Sequence, residues 1–226
     1  QILYQIMILK RGENGCSLFS REYRLDAGIY KLKVMKPFGS GDAFLGNLIM
    51  DYMSFGDWKK AIEKFDLGIA LGTKKADTFY YSGFARNNLG KYKEAIPYFK
   101  KALSLKPFKA DYHFDLGNSY KQLKLYDNAL YHFRKTLEIE PDHYKALNNM
   151  GTIFWDLGAL DQAKAEFKKV IKIRPDIPVI HNNLATIYIK SEDFKNAIPH
   201  LETLLKLEPE NIKTKKLLQF SRGQIQ

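Results

Sequence analysis

Cysteine is almost missing from this chain. Among 226 residues there is one, Cys16, which rules out an intrachain disulfide framework and fits a reducing, cytoplasmic setting. Long hydrophobic runs are missing too: none approaches the ~18 residues that a membrane-spanning helix needs. The first ten residues, QILYQIMILK, are apolar but lack the basic n-region and small-residue cleavage site of a secretory signal. There is no initiating Met, which fits a processed product or a piece of a longer protein. Catalytic and metal-binding signatures are equally sparse. No His/Cys/Asp spacing makes a metal site, and Cys16 has no placed partner for nucleophilic chemistry. Acidic residues are outnumbered, 25 Asp and Glu against 36 Lys and Arg, for a net charge of +11. The excess is local: about +4 over 1–41, +5 over 76–109 and +4 over 212–226, whereas 110–143 and 178–211 are slightly acidic. Nucleic-acid binding wants a continuous basic stripe, and the acidic segments interrupt it, so neither a nucleic acid nor a membrane is expected as partner.

What the chain does have is a repeat. Leu116-Gly117, Tyr120, Ala129, Phe133 and Pro141 return 34 residues later as Met150-Gly151, Phe154, Ala163, Phe167 and Pro175. One period earlier the pattern reads Gly83, Ala95, Phe99, Ala102 and Pro107, and two periods later Leu184-Ala185, Tyr188, Ala197, Leu201 and Pro209. The period and residue types resemble the tetratricopeptide-repeat family, with four copies over 76–211, about 60% of the chain. The resemblance implies two helices per copy. Small residues (Gly83, Gly117, Gly151, Ala185 and the four alanines) let the helices approach, and Phe99, Phe133, Phe167 and Leu201 fill the space toward the next copy. The prolines stop each second helix. Lys91, Lys93, Lys100, Lys101 and Lys106 fall mainly on a second helix, the outward side, and read as a solvated face. One copy cannot bury its apolar face alone, so the array must stack and be sealed. Ile212, Leu217 and Phe220 in IKTKKLLQF suit a capping helix, within a C-terminal segment 212–226.

The N-terminal part reads differently. Residues 6–9 form an apolar run before the turn Arg11-Gly12-Glu13-Asn14-Gly15, residues 16–20 suit a second strand, and 30–34 alternate apolar with basic. Segment 1–41 is thus expected to be β-rich, and the fold class mainly α: a helix-turn-helix solenoid with a small β-rich N-terminal segment. A Gly-rich loop, Lys36-Pro37-Phe38-Gly39-Ser40-Gly41-Asp42, then opens into a helix from Ala43 to about Phe55. Such a loop is a generic anion site, because amides and helix dipole favour negative charge. KRGENGCSLF, KPFGSGDAFLGNLI and DWKKAIEKFDLGIALGTKK resemble, in order, parts of the C-terminal region of PfkB (ribokinase-like) carbohydrate kinases over roughly 6–73. The resemblance implies Asp42 as catalytic base, Gly39, Ser40 and Gly41 as amides holding the transferring phosphoryl group, and ATP with Mg as cofactors. Bare of that resemblance, Asp42 is a helix N-cap. Two departures stand against catalysis by this chain: the upstream sheet and sugar-binding residues are absent, and Asp66-Leu67-Gly68 stands where the family tends to carry Asn. Residues 42–75 also align with the repeat frame, through Leu48, Tyr52, Ala61 and Phe65, and are expected to form a helical hairpin capping the array.

In the repeat family the first helices line a concave groove. The frame then points inward with Asp77, Tyr80, Tyr81, Phe84 and Asn87; with Phe114, Asp115 and Asn118; with Asn148, Asn149, Thr152 and Trp155; and with Asn182, Asn183 and Thr186. Asn pairs with both N–H and C=O of an extended peptide, and the aromatics offer anchors. The same asparagines equally suit a wet groove with no fixed ligand. A four-point cationic clamp for a C-terminal carboxylate is not expected: Asn118 and Asn149 fit it, but Phe114, Val179 and Asn183 stand where cations are needed. His113 and His181 stand at large core positions, with His132, His143 and His200 scattered. The leading reading is a scaffold binding a protein or peptide partner without a cofactor. The alternative is the C-terminal portion of a PfkB-like sugar kinase carrying a repeat tail. An exposed strand edge and an open groove are both compatible with self-association.

Overall fold

The structure, a computed structural model, describes Arg24–Leu25, Gly28–Ile29, residues 57–70 and residues 72–225. Two short strands, β1 (Arg24–Leu25) and β2 (Gly28–Ile29), pair antiparallel with Arg24 opposite Ile29 and Leu25 opposite Gly28. The remaining described elements are helices: α1 (Trp58–Ala70), α2 (Ala76–Asn88), α3 (Tyr92–Leu105), α4 (Ala110–Gln122), α5 (Tyr126–Ile139), α6 (Tyr144–Asp156), α7 (Leu160–Ile173), α8 (Pro178–Lys190), α9 (Phe194–Leu207) and α10 (Ile212–Gly223).

This corrects the expected fold class. Apart from the two-residue ladder, the described fold is an α-helical solenoid, and a β-rich N-terminal segment is not part of it. Apolar–polar alternation over four or five residues is a weak strand signal, and a lone two-stranded ladder is marginal in water. The expected strands at 6–9, 16–20 and 30–34 lie outside the described residues, as do the helix over 43–55, Leu48 and Tyr52.

The helices pack in sequence order. The closest partners are the two helices of each copy, α2 with α3, α4 with α5, α6 with α7 and α8 with α9. Each second helix then packs on the next first helix. First helices also touch one another directly, α2 with α4 and α4 with α6, which places them on the inner side of the curve.

The glycines explain the close approach within a copy. A Cβ at Gly83, Gly117 or Gly151 would lie 3.0, 2.8 or 2.6 Å from the ring of Phe99, Phe133 or Phe167. Each ring thus lies against the glycine of its own copy, rather than only reaching toward the next as the sequence suggests. All three rings are fully buried. The fourth copy replaces the pair with Ala185 and Leu201: the added methyl is matched by a smaller partner, and both are buried. The turn after each first helix also repeats. Gly90, Lys124, Gly158 and Glu192 all have left-handed backbone, with φ of 73°, 58°, 75° and 57°.

The ends are sealed by different means. At the C-terminus, Leu217 and Leu218 of α10 cover Leu201, Leu204 and Leu205 of α9. At the other end Ala61 and Phe65 of α1 pack on Ala85 and Tyr81 of α2. A buried cation joins these two helices. Arg86, 6% exposed, donates to both carboxylate oxygens of Asp66 at 2.8 Å, to Ser82, and lies 4.0 Å from the centre of the Tyr98 ring. One guanidinium nitrogen meets both Asp66 oxygens while a second meets Ser82 and the plane lies against Tyr98, a spread of contacts that a compact ammonium could not reproduce.

Candidate functional site

Four of the described helices, α2, α4, α6 and α8, present one polar face to the inside of the curve. Its N-terminal half is cross-linked by its own side chains. The Tyr80 hydroxyl donates to Asp115 Oδ2 at 2.7 Å, and Tyr112 donates to Asp77, which also accepts from Lys106 Nζ at 2.8 Å. The Asn87 amide donates to the Asp115 carbonyl at 3.4 Å, and its oxygen accepts from Ser119 at 2.9 Å. Asn149 Nδ2 donates to Asn118 Oδ1 at 2.7 Å, while Asn149 Oδ1 accepts from Lys121 Nζ at 2.9 Å. These contacts tie α2 to α4 and α4 to α6 on the face where first helices meet.

Burial sets the electrostatics. It pushes the Asp115 carboxyl up to about 6, against the hydrogen bonds from Tyr80 and Asn118, which favour the charged form. Burial, then the neighbouring Asp115 charge, drives the Tyr80 hydroxyl far above the ordinary phenol range, so it stays a donor. Burial also lowers the Lys121 ammonium, with Asp156 opposing weakly.

The predicted groove residues therefore divide. Tyr80, Asn87, Asp115, Asn118 and Asn149 are brought together, but as partners of one another. Tyr80 further stacks on Tyr112 at 4.4 Å. Tyr81 stacks on Phe65 of α1 and Phe84 meets Trp58 edge-on, so both serve the α1–α2 contact. Phe114 lies half-buried against Phe133 and His143. In the C-terminal half, Asn148 and Asn183 are half-buried and Asn182 exposed, and among the described residues their side chains have no hydrogen-bond partner. The Thr152 and Thr186 hydroxyls turn back to the Asn148 and Asn182 carbonyls. Trp155 is half-buried, with Lys190 Nζ 5.1 Å from its ring centre. Asp42, Gly39, Ser40 and Gly41 lie outside the described residues.

Sequence reasoning missed the groove lysines and the histidine pairs. Lys121 stands one 34-residue period before Trp155, so the repeat frame could have placed it on the inner face. His113 and His132 have their Nδ1 atoms 3.0 Å apart, and His181 and His200 theirs 3.1 Å apart. Both pairs have the same 19-residue spacing, two periods apart. His113 Nε2 and His181 Nε2 lie 3.0 and 2.8 Å from the carbonyls of Pro107 and Pro175. A carbonyl only accepts, so the first histidine carries its proton on Nε2 and the second donates Nδ1–H to it. Tyr120 and Tyr188 stack on His132 and His200. Among the described residues no group of three or more His, Cys, Asp or Glu could hold a metal ion.

Family models described as tetratricopeptide repeat match residues 76–109, 110–143, 144–177 and 179–211, together more than half of the chain. The chain belongs to the tetratricopeptide-repeat family. Solved TPR-like structures share its fold. A MamA fragment from Desulfovibrio magneticus RS-1 aligns with TM-score 0.69 at 20% identity, over 75% of this chain and 96% of that one. Pseudomonas aeruginosa pilF gives 0.67 at 17% identity, over 81% and 86%. YrrB, described as a TPR protein with an unusual peptide-binding site, gives 0.63 at 22% identity, over 78% and 89%. A separate match is short: 68 residues are 35% identical to 5-dehydro-2-deoxygluconokinase of Photobacterium profundum, 30% of this chain. The chain spans 20% of that kinase's length.

Proposed function

We propose that this TPR array is a protein–protein interaction scaffold that takes an extended peptide, or a segment of a protein, in the groove formed by its first helices. One observation carries the reading: the amides of Asn148 on α6 and of Asn182 and Asn183 on α8 have no partner among the described residues. An amide offers a donor and an acceptor together, which is what an extended main chain needs. The family and the peptide-binding site described for YrrB support it. No helix among the described residues is long and apolar enough to cross a membrane. The single cysteine supports a reducing, cytoplasmic setting, and the reading needs no cofactor at the groove. The test is Asn148→Ala with Asn183→Ala. Peptide retention on the immobilised chain should drop about tenfold, the loss expected from two hydrogen bonds of about 0.5–1.5 kcal/mol each, with the melting curve unchanged. Unaltered retention places the partner elsewhere.

The partial match to a sugar-acid kinase favours a second reading, in which these residues end a PfkB-like carbohydrate kinase. Asp42 would then be the base, Gly39, Ser40 and Gly41 would hold the phosphoryl group, and ATP and Mg would be required. ATP-dependent sugar phosphorylation by the natural gene product, abolished by Asp42→Asn, would support it; no activity in that product would end it.

A further inference from the structure

The two halves of the groove differ in what they leave unmet. In the N-terminal half each carboxylate that staples the first helices, Asp77 and Asp115, is already engaged by neighbours. In the C-terminal half and at its border three amides lack a hydrogen-bond partner and three cations lack a carboxylate among the described residues. Lys121 is half-buried, and its one hydrogen bond goes to the neutral oxygen of Asn149. Lys145 is exposed one turn before Asn149 on α6, and Lys190 lies over Trp155 from α8. Among the described residues none of the three has a carboxylate in ion-pair contact.

Two of the acids nearby are occupied, and a third, Asp111 at the exposed start of α4, forms no ion pair among the described residues. Asp156, whose charge Lys121 feels, accepts from the Tyr126 hydroxyl at 3.1 Å. Asp115, which feels Lys145, accepts from Tyr80 and Asn118. A half-buried ammonium without a counter-ion is an unfavourable arrangement that an incoming anion relieves. Burial already pushes the Lys121 ammonium below its ordinary range.

We propose that the C-terminal half of the groove selects an extended peptide segment bearing Asp or Glu side chains, with Lys121, Lys145 and Lys190 meeting the carboxylates and Asn148, Asn182 and Asn183 the main chain. This rests on the peptide-scaffold reading above. Trp155, half-buried beneath Lys190, adds an aromatic surface for a neighbouring side chain. A basic segment meets like charge here, and a neutral one leaves the ammonium groups unmatched. The arrangement differs from a clamp for a terminal carboxylate, because its cations come from both ends of the first helices and suit internal side chains.

The test uses the full chain and three pools of acetylated, amidated peptides of equal length, randomised in apolar residues plus Glu, Gln or Lys. The expected result is preferential retention of the Glu pool, reduced by added salt. Lys145→Ala with Lys190→Ala, both at exposed positions, should reduce that retention roughly tenfold, as loss of charge-assisted hydrogen bonds predicts. Lys121→Met should add to the loss. In a Trp58→Phe background Trp155 is the only tryptophan, and its emission should change with the Glu pool. Equal retention of the Gln pool, preference for the Lys pool, or retention indifferent to the lysine changes overturns the acidic selectivity and leaves the groove reading standing. Retention of every pool at the level of the Asn148→Ala, Asn183→Ala variant overturns both.

Discussion

At position 151 a missing methyl group decides how closely two helices meet. The Phe167 ring occupies the space a side chain would need, 2.6 Å from the would-be Cβ. Gly151→Ala should therefore lower stability by about 1–2 kcal/mol in urea denaturation, overpacking outweighing the ~1 kcal/mol gain in helix propensity. Adding Phe167→Leu should recover much of the loss, because the fourth copy already joins Ala185 to Leu201. A double variant no better than the sum of the two single changes would refute the coupling. Residue identity matters in the opposite sense at the inter-helix turns. Lys124 and Glu192 hold a left-handed conformation that Gly90 and Gly158 adopt without a steric penalty. Lys124→Gly should stabilise the chain by about 0.5–1 kcal/mol, visible as a higher urea midpoint at unchanged slope. The glycine–phenylalanine rows were legible in the sequence as a period. Which ring covers which glycine was not, since a period does not say how a side chain is directed.

Between elements, the histidine pairs latch α4 to α5 and α8 to α9, and each also reaches the preceding proline turn. Burial, then the partner imidazole, pushes His132 and His200 down to about 4, with Lys100 and Lys168 acting in the same direction. Lys135 and Glu138 face His113 with opposing effects, and the Tyr131 ring meets His132 edge-on. A histidine whose folded value is depressed stabilises the fold above its unfolded value of 6.5 and loses that contribution as pH falls toward 4. Asp115 works the other way: raised to about 6, it favours the folded state as pH falls through that value. Two histidines outweigh one carboxyl, so stability should fall between pH 6.5 and 4. Urea melts across that range should show a shallower fall for His132→Gln with His200→Gln, and a steeper one for Asp115→Asn. Identical pH slopes in wild type and the histidine variant would exclude the latch. The histidines read as scattered in the sequence because each pair joins two helices, and a third copy breaks the pattern with Leu147 and Glu166.

Across the whole molecule the helices contact mainly their neighbours in sequence, so stability is a chain of interfaces rather than one centre. The last interface depends on α10, which covers Leu201, Leu204 and Leu205. Removing residues 212–226 should cost the fourth repeat about 3 kcal/mol or more, the worth of two or so buried leucines. Amide exchange should accelerate in α8 and α9 and stay unchanged in α2 to α5. Uniform acceleration along the array would mean a single cooperative unit instead. A groove along the array follows from this stacking, and in its N-terminal half many inward side chains are bonded to one another.

Beyond a C-terminal helix whose buried face it misassigned (Ile212 and Phe220 are exposed, Leu218 is buried), the sequence by itself determined the number of repeats, their helical pairing and the small and large positions of the core. Those features depend on chemistry that recurs every 34 residues, so one chain carries enough copies to read them. Tertiary structure alone decided which inward side chains bind one another and which stay free. Asn118 and Asn149 satisfy each other across adjacent helices, whereas Asn148 and Asn183 have no such partner, and no property of asparagine distinguishes them. The difference arises from what the neighbouring first helix places opposite each amide, which depends on packing geometry and not on spacing along the chain.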